Sequence, residues 1–563
     1  MKYLAGLILL VVLHTFPLWD LENSLAGGFG DPFAHAAIGE WFCKNVVTGD
    51  FNSKIYMSPY GIDFSGNYDS PFPFIATCPF VDAGPLFQFH LFTILQLLLI
   101  VISSLLVASV FLRPGPLRFC YALFAWWGGF YLVWAHQHMT LLSLIWGFQF
   151  LIYAIKKLQL SSLKSCLTSA TLIALTMSGT FQNIATLGPF ALALVVYYFF
   201  THRDDFKVSK NLINFFSGLV LTVVISLLFW SPMIVFTLKH GAPDLAVQRS
   251  LFSLDLTGIF LPFKQNLFYQ WFEMGPGSTP IEKANGLDIL IFISVILSLV
   301  NGRLRKDTFQ IFLLVTAVFY LIISLGPEIH LNGQVIASMP FTEWVFRIFP
   351  FSLSRTPSRM AAITHLIFIL LGFLYFDQIK KEKTLSLLVI GLLSWTVITG
   401  PILNQTITFP VINYRQIFTM NGLEALKSLP ADSTILMIPN AHAQDPAQNF
   451  HRLFHHKNIS SGYLAFPAYT TELRSKILSD PLLGQFECIG NKTTFARTEL
   501  FQNPERLHAF LKEQRYSGII INKYFISSNS GCGLILNWIM ELSKQSWFKI
   551  VEENNYFVTA LIL

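Results

Sequence analysis

The feature that most constrains this chain is a series of long apolar runs divided by connections of which every second one is basic. The runs fall at about 3–19, 87–112, 117–135, 139–155, 165–182, 184–201, 212–238, 286–301, 308–325, 360–377 and 384–401. Crossing the ~30 Å hydrocarbon core of a bilayer takes about 20 apolar residues in a helix, and these runs approach or exceed that length. Composition agrees: only 12% of the residues are charged, about half the share needed to clothe a soluble domain. The pattern predicts a polytopic α-helical membrane protein with about eleven spans. The first run, behind Lys2, also fits a signal peptide ending near Ser24-Leu25-Ala26. A retained helix is the reading taken, because a polytopic chain needs no separate signal.

The basic connections carry Arg113 and Arg118; Lys156, Lys157 and Lys164; Arg203, Lys207 and Lys210; Arg303, Arg305 and Lys306; and Lys380, Lys381 and Lys383. The positive-inside bias places these clusters and the N-terminus in the cytoplasm. The other connections (20–86, 136–138, around 183, 239–285, 326–359 and everything after 401) then lie outside. The net charge of +6 is used up in this alternation and leaves no basic face for nucleic acid. Residues 1–401 are accordingly expected to form a transmembrane domain, and 402–563 an extracytoplasmic α/β domain. In the latter, Thr434–Pro439 and Gly518–Asn522 read as strands, Asn503–Glu513 as a helix and Tyr556–Leu563 as a closing strand.

Six cysteines divide among these regions. Cys43 and Cys78 share the first loop, and Cys488 and Cys532 share the C-terminal region. Each pair forms a disulfide if its region faces an oxidising compartment; four free thiols is the alternative, and sequence alone does not supply the Cα separation a bridge requires.

The first loop is polar and turn-rich between apolar runs. It contains Gly30-Asp31-Pro32, Ser58-Pro59-Tyr60-Gly61-Ile62-Asp63, Asp69-Ser70-Pro71 and Cys78-Pro79-Phe80. A carboxylate close to the membrane surface can take a proton from an attacking hydroxyl, and Asp31 is the candidate, with Asp20 its rival. A purely structural role is also open to Asp31, as N-cap of a helix with Pro32 at its first position. Asp63 and Asp69 are given no catalytic role. His35 lies one turn after Asp31, and His136 and His138 occupy the connection 136–138. Two histidines without a further ligand fall short of a zinc site. On the predicted outer side, Arg347 and the segment Arg355-Thr356-Pro357-Ser358-Arg359 run against the charge bias. Arginine presents planar paired donors suited to a phosphate, although at a helix entry it also serves simply to reach lipid headgroups. His451, His455 and His456 form a further group, open to a metal or acceptor role, with a surface cluster of no function the favoured reading.

In this layout the chain resembles the C-type integral-membrane glycosyltransferases, the GT-C fold, in an uncharacterised bacterial form with a C-terminal outer domain. The resemblance implies a sugar carried on a polyprenyl phosphate and passed, with inversion, to an outer-face lipid, glycan or protein at the bacterial cytoplasmic membrane, in service of the cell envelope. It implies Asp31 as general base and Arg355 and Arg359 as clamp on the donor phosphate. His35, His136, His138 and Arg347 would be supporting contacts to phosphate or acceptor. Some members of that family use a divalent cation bridged by two carboxylates, and no second carboxylate is singled out here, so no metal ligand is assigned. Two other classes compete: a membrane transporter, which predicts ionisable groups lining a path within the spans, and a non-catalytic subunit of an envelope-polymer assembly.

Overall fold

The computed structural model describes residues 2–28, 30–46, 48–53, 55–67, 70–127, 131, 135, 138–240, 245–260, 286–302, 307–399, 408–439, 447–462, 471–486, 499–528 and 533–563. Every apolar stretch predicted as a span holds a helix. These are α1 (Lys2–His14), later α4 (Pro85–Phe111) and α5 (Leu117–Trp126), and then the helices Ser143–Lys157, Leu163–Met177, Phe181–Thr201, Ser209–His240, Ile289–Val300, Thr308–Ser324, Ala361–Asp377 and Glu382–Val397. Five are long and apolar enough to cross a membrane by length and composition: Pro85–Phe111, Met139–Lys157, Phe181–Thr201, Ser209–His240 and Pro357–Asp377. Several starts are capped by a side chain that accepts from the first turn, namely Ser162, Thr180, Asp288 and Asp307, which satisfies N–H groups that lipid cannot.

Burial separates the core of the bundle from its rim. In their most apolar 18-residue stretches, 89% and 83% of the residues of Met139–Lys157 and Pro357–Asp377 are buried, whereas in Ser209–His240 the share is 17% and an apolar surface turns outward. One end gathers the basic connections. Arg113 donates to Asp377 at 3.2 Å and to the Ile379 carbonyl at 3.1 Å. Lys156 lies over the rings of Phe111 and Phe309, and Tyr197 meets Thr308 at 3.2 Å. The Arg303, Arg305 and Lys306 cluster lies outside the described residues, as do 261–285 of the connection 239–285.

The opposite end carries the first loop. It begins with β1 (Ser24–Ala26) and α2 (Asp31–Asn45), passes through β2 (Asn52–Ser53) and β3 (Ile62–Asp63), which pair antiparallel, and ends in α3 (Pro71–Thr77). A disulfide joins Cys43 at the end of α2 to Cys78, just past α3. Between the helices Thr308–Ser324 and Ala361–Asp377, β4 (Glu328–Leu331) and β5 (Gln334–Ser338) form a hairpin at the same end.

From β6 (Val411–Asn413) onward the chain is mixed. β7 (Thr434–Ile438), β8 (Asn458–Ile459), β9 (Tyr516–Asn522), β10 (Phe548–Glu553) and β11 (Phe557–Ile562) build one sheet of order β10-β11-β9-β7-β8. β7 runs parallel to β8 and β9, and every residue of it is buried. The closing strand expected at 556–563 forms as β11, which lies inside the sheet, flanked by β9 and β10. β10 escapes sequence reading because it is an edge strand with mostly exposed residues. The helix expected at 503–513 forms at Pro504–Glu513, capped by Asn503. The first loop is woven into this part. β1 pairs with β6, and the segment 55–58 runs along the edge of β8, with Ile459 N–H donating to Ile55 and Ser58 N–H to Ile459. An open strand edge is a liability, and here another part of the same chain covers it.

Candidate active site

Asp31 opens α2, and the residue before it has a backbone only glycine adopts readily: Gly30 has φ 140°. The N-cap is Gly30, and no side chain caps the helix. The expected capping role of Asp31 is therefore not what the fold uses. Its Oδ2 instead lies 2.7 Å from Nδ1 of His138, with both side chains mostly buried (17% and 15% exposed). A carboxylate in the first turn is also favoured by the helix dipole. His138 is brought across from the connection before the turn Met139–Leu142, 107 residues along the chain.

α2 is held from several directions, which fixes the position of this pair. Phe33, two residues after Asp31, packs edge-on against Phe418 and Phe450, with centroids 5.2 and 4.9 Å away. Glu40, 2% exposed, bonds Lys44 at 2.6 Å and Arg452 at 3.2 Å. The Arg452 guanidinium in turn lies 5.3 Å from the centre of the Tyr56 ring. Gly39 leaves room for Phe74, whose ring an added Cβ would meet at 2.7 Å. The Cys43–Cys78 bridge closes the far end. Tyr60 adds a tie from the loop to Asp480 at 2.7 Å; burial, then that bond, pushes its phenol up to about 12.

The arginine segment lies at the same end of the bundle. Arg359 is buried on the short turn Pro357–Met360 that leads into the helix Ala361–Asp377. Arg355 is half-buried, and Arg347 is exposed. The backbone beside them is fixed by Arg249, which donates to the carbonyls of Ser354 at 3.0 Å and Ser352 at 2.8 Å, and by the Ser358 N–H, which donates to Phe252 at 3.2 Å. One turn links this segment to the first loop: Gln182 Nε2 donates to Ser354 Oγ at 3.3 Å, and four residues earlier the Ser178 carbonyl accepts from Phe72 N–H at 3.1 Å.

The remaining sequence candidates fall as follows. His35 sits half-buried one turn beyond Asp31 on α2. His136 lies outside the described residues, as do Asp69, Cys488 and Cys532. Asp20 is exposed and accepts from Asn23 in a local turn. Asp63 faces Lys239 at 3.8 Å. His451 and His455 are not a surface cluster. His451 is wholly buried edge-on to Phe418 and Phe557, and burial pushes its pKa down to about 3. His455 is likewise buried and shifted well down, its Nδ1 accepting from Lys457 N–H. Among the described residues no group of three or more His, Cys, Asp and Glu side chains can hold a metal ion.

Two structural anchors escaped the sequence reading. Arg249 carries a signal of its own: it lies in a connection predicted to be outside, against the charge bias that singles out Arg355 and Arg359. The Glu40–Arg452 pair joins positions 412 apart and leaves no local trace.

No protein-family model matches the chain, and no curated protein matches it in sequence. Solved structures do resemble it. The arabinofuranosyltransferase AftD from Mycobacteria superposes with a TM-score of 0.62 at 11% identity, over 100% of this chain and 39% of AftD. ArnT from Cupriavidus metallidurans superposes with a TM-score of 0.51 at 11% identity, over 99% of this chain and 98% of ArnT. The chain thus spans about two fifths of the length of AftD. At such identity the likeness is one of fold.

Proposed function

We propose, starting from the GT-C fold that the chain shares with these two proteins, that it is an integral-membrane glycosyltransferase acting on a lipid-linked sugar. The observation that carries this reading is the Asp31–His138 pair, a carboxylate set on a rigid helix where the first loop meets the bundle. In this reading eleven helices span the bacterial cytoplasmic membrane, with the N-terminus and the basic end in the cytoplasm. The first loop, the segment 326–359 and the domain 402–563 lie outside. The donor is a sugar on a polyprenyl phosphate, and the acceptor is a hydroxyl of an outer-face lipid, glycan or protein.

Asp31, oriented by His138, takes the proton as the acceptor oxygen bonds to the anomeric carbon. The bond from that carbon to the phosphate oxygen breaks on the opposite face, which inverts the centre, and polyprenyl phosphate departs as an anion. Arg355 and Arg359 stabilise that anion by charge-assisted hydrogen bonds, and Arg249 holds their backbone in place. No step is routed through a metal.

The test needs no guess of sugar or acceptor. The protein, purified gently from its native membrane, is examined by mass spectrometry for a bound polyprenyl phosphate beside the Arg355→Ala/Arg359→Ala variant. A lipid present in the parent and lost in the variant supports the clamp. Its absence from both, with the protein folded, overturns the donor assignment.

A further inference from the structure

The connection between the helices Thr308–Ser324 and Ala361–Asp377 is built inside out for a loop in water. Its acidic side chains turn toward the protein. Glu328 bonds Ser250, and Asp255 accepts from the N–H groups of Asn332 and Gly333 at the hairpin turn, at 3.1 and 2.7 Å. Burial pushes the Asp255 carboxyl up, but its hydrogen bonds from Thr257, Gly333 and Asn332 outweigh this and hold it low. Glu343 faces Arg249, and Thr342 donates to the Gly326 carbonyl. The large apolar groups point away. Val335 and Ile336 on β5, Phe341 and Trp344 on the helix Pro340–Val345, and Phe349 beyond it are 51–71% exposed. One outward charge, Arg347, lies among them.

Continuity and length say what covers this face. The preceding helix turns Val315, Val318 and Ile322 outward along the exposed apolar rim of the bundle, and the hairpin follows directly from its last turn. That helix has 17 residues, a rise of about 26 Å, less than the ~30 Å hydrocarbon thickness. Its end, and the segment springing from it, therefore sit at the membrane boundary rather than above it.

We propose that the β4–β5 hairpin and the segment 340–349 are embedded in the lipid leaflet at this end of the bundle, with their aromatic and branched side chains among the upper acyl chains and Arg347 at the headgroup phosphates. Amphipathic segments of this kind bury their apolar face about 5–10 Å into the headgroup boundary, and tryptophan concentrates at that depth. The partner is a lipid surface, whatever reaction the protein catalyses. One consequence is that a lipid-held segment sets the depth of Arg355 and Arg359 a few residues later.

The test uses the full chain in lipid nanodiscs with fluorotryptophan in place of its 12 tryptophans. The fluorine resonance missing from Trp344→Phe is that of Trp344. The expected result is loss of this resonance by paramagnetic broadening when a nitroxide is carried on the upper acyl chain of the lipid, with no broadening from a water-soluble gadolinium chelate. Broadening by the chelate and not by the lipid label overturns the proposal. Broadening by neither also overturns it, and points to a second protein copy on this face. Should Trp344→Phe not fold, Phe349→Trp gains a resonance that reads the same way.

Discussion

A single carboxylate decides the chemistry proposed here, and its neighbours make it specific. Asp31→Asn removes the base while keeping size and shape, so transfer from the lipid-linked donor should fall by about 10²–10⁴-fold with thermal stability unchanged; full activity in that variant would sink the assignment. His138→Ala should lower the rate less, since it removes the partner that orients the carboxylate and leaves the carboxylate in place. Turnover of the two variants with the lipid identified by mass spectrometry gives the ranking. His451 makes a different kind of prediction. Its ring is held neutral by burial, with its pKa pushed down to about 3. As pH falls below about 6.5 the unfolded chain binds a proton there and the folded chain does not. Stability should therefore drop as pH falls from 6.5 toward 3, by up to about 1.4 kcal/mol per pH unit, and be unaffected by this group above 6.5. Thermal unfolding followed against pH should show a shallower slope in His451→Leu.

At the scale of elements, the helix bearing Asp31 is held by the helix Ala447–His455 and the segment before Met420 as well as by the bundle. Phe33 packs against Phe418 and Phe450, which also touch each other, and the Glu40–Arg452 contact crosses the same interface. Glu40→Leu leaves the buried Arg452 without its carboxylate, a loss worth up to about 3–5 kcal/mol, whereas Arg452→Met costs less because Lys44 still pairs Glu40, and replacing both by apolar groups is far milder. Glu40→Leu and Arg452→Met should each destabilise the protein, and the double variant should melt above either single one. A double variant that melts below both would show that the pair contributes net stability beyond charge compensation. Loosening this contact should also disturb Asp31, so either single variant is expected to lower turnover even though neither residue touches the proposed substrate.

For the whole molecule, the alternation of charge sets which way round the bundle sits. If the first loop faces an oxidising compartment, Cys43 and Cys78, bridged in the structure, should resist alkylation in intact cells until a reductant is added. A cysteine introduced at the basic end, for example Lys381→Cys, should react only with a membrane-permeant reagent. Ready labelling of that cysteine by an impermeant reagent would invert the proposed topology.

The sequence by itself determined the membrane class and where along the chain the apolar helices fall, and it singled out Asp31, Arg355 and Arg359 as candidates, because bilayer thickness and charge bias act on consecutive residues and leave a local record. It could not show that Asp31 meets His138, that Arg249 fixes the arginine segment, or that Glu40 meets Arg452, because those contacts join residues roughly a hundred or more positions apart. His451 escapes sequence reading for the same reason: a histidine looks polar along the chain, and only the packing of Phe418 and Phe557 around it makes it a core residue. Tertiary structure decided which polar groups face one another, since only folding brings distant side chains within a few ångströms.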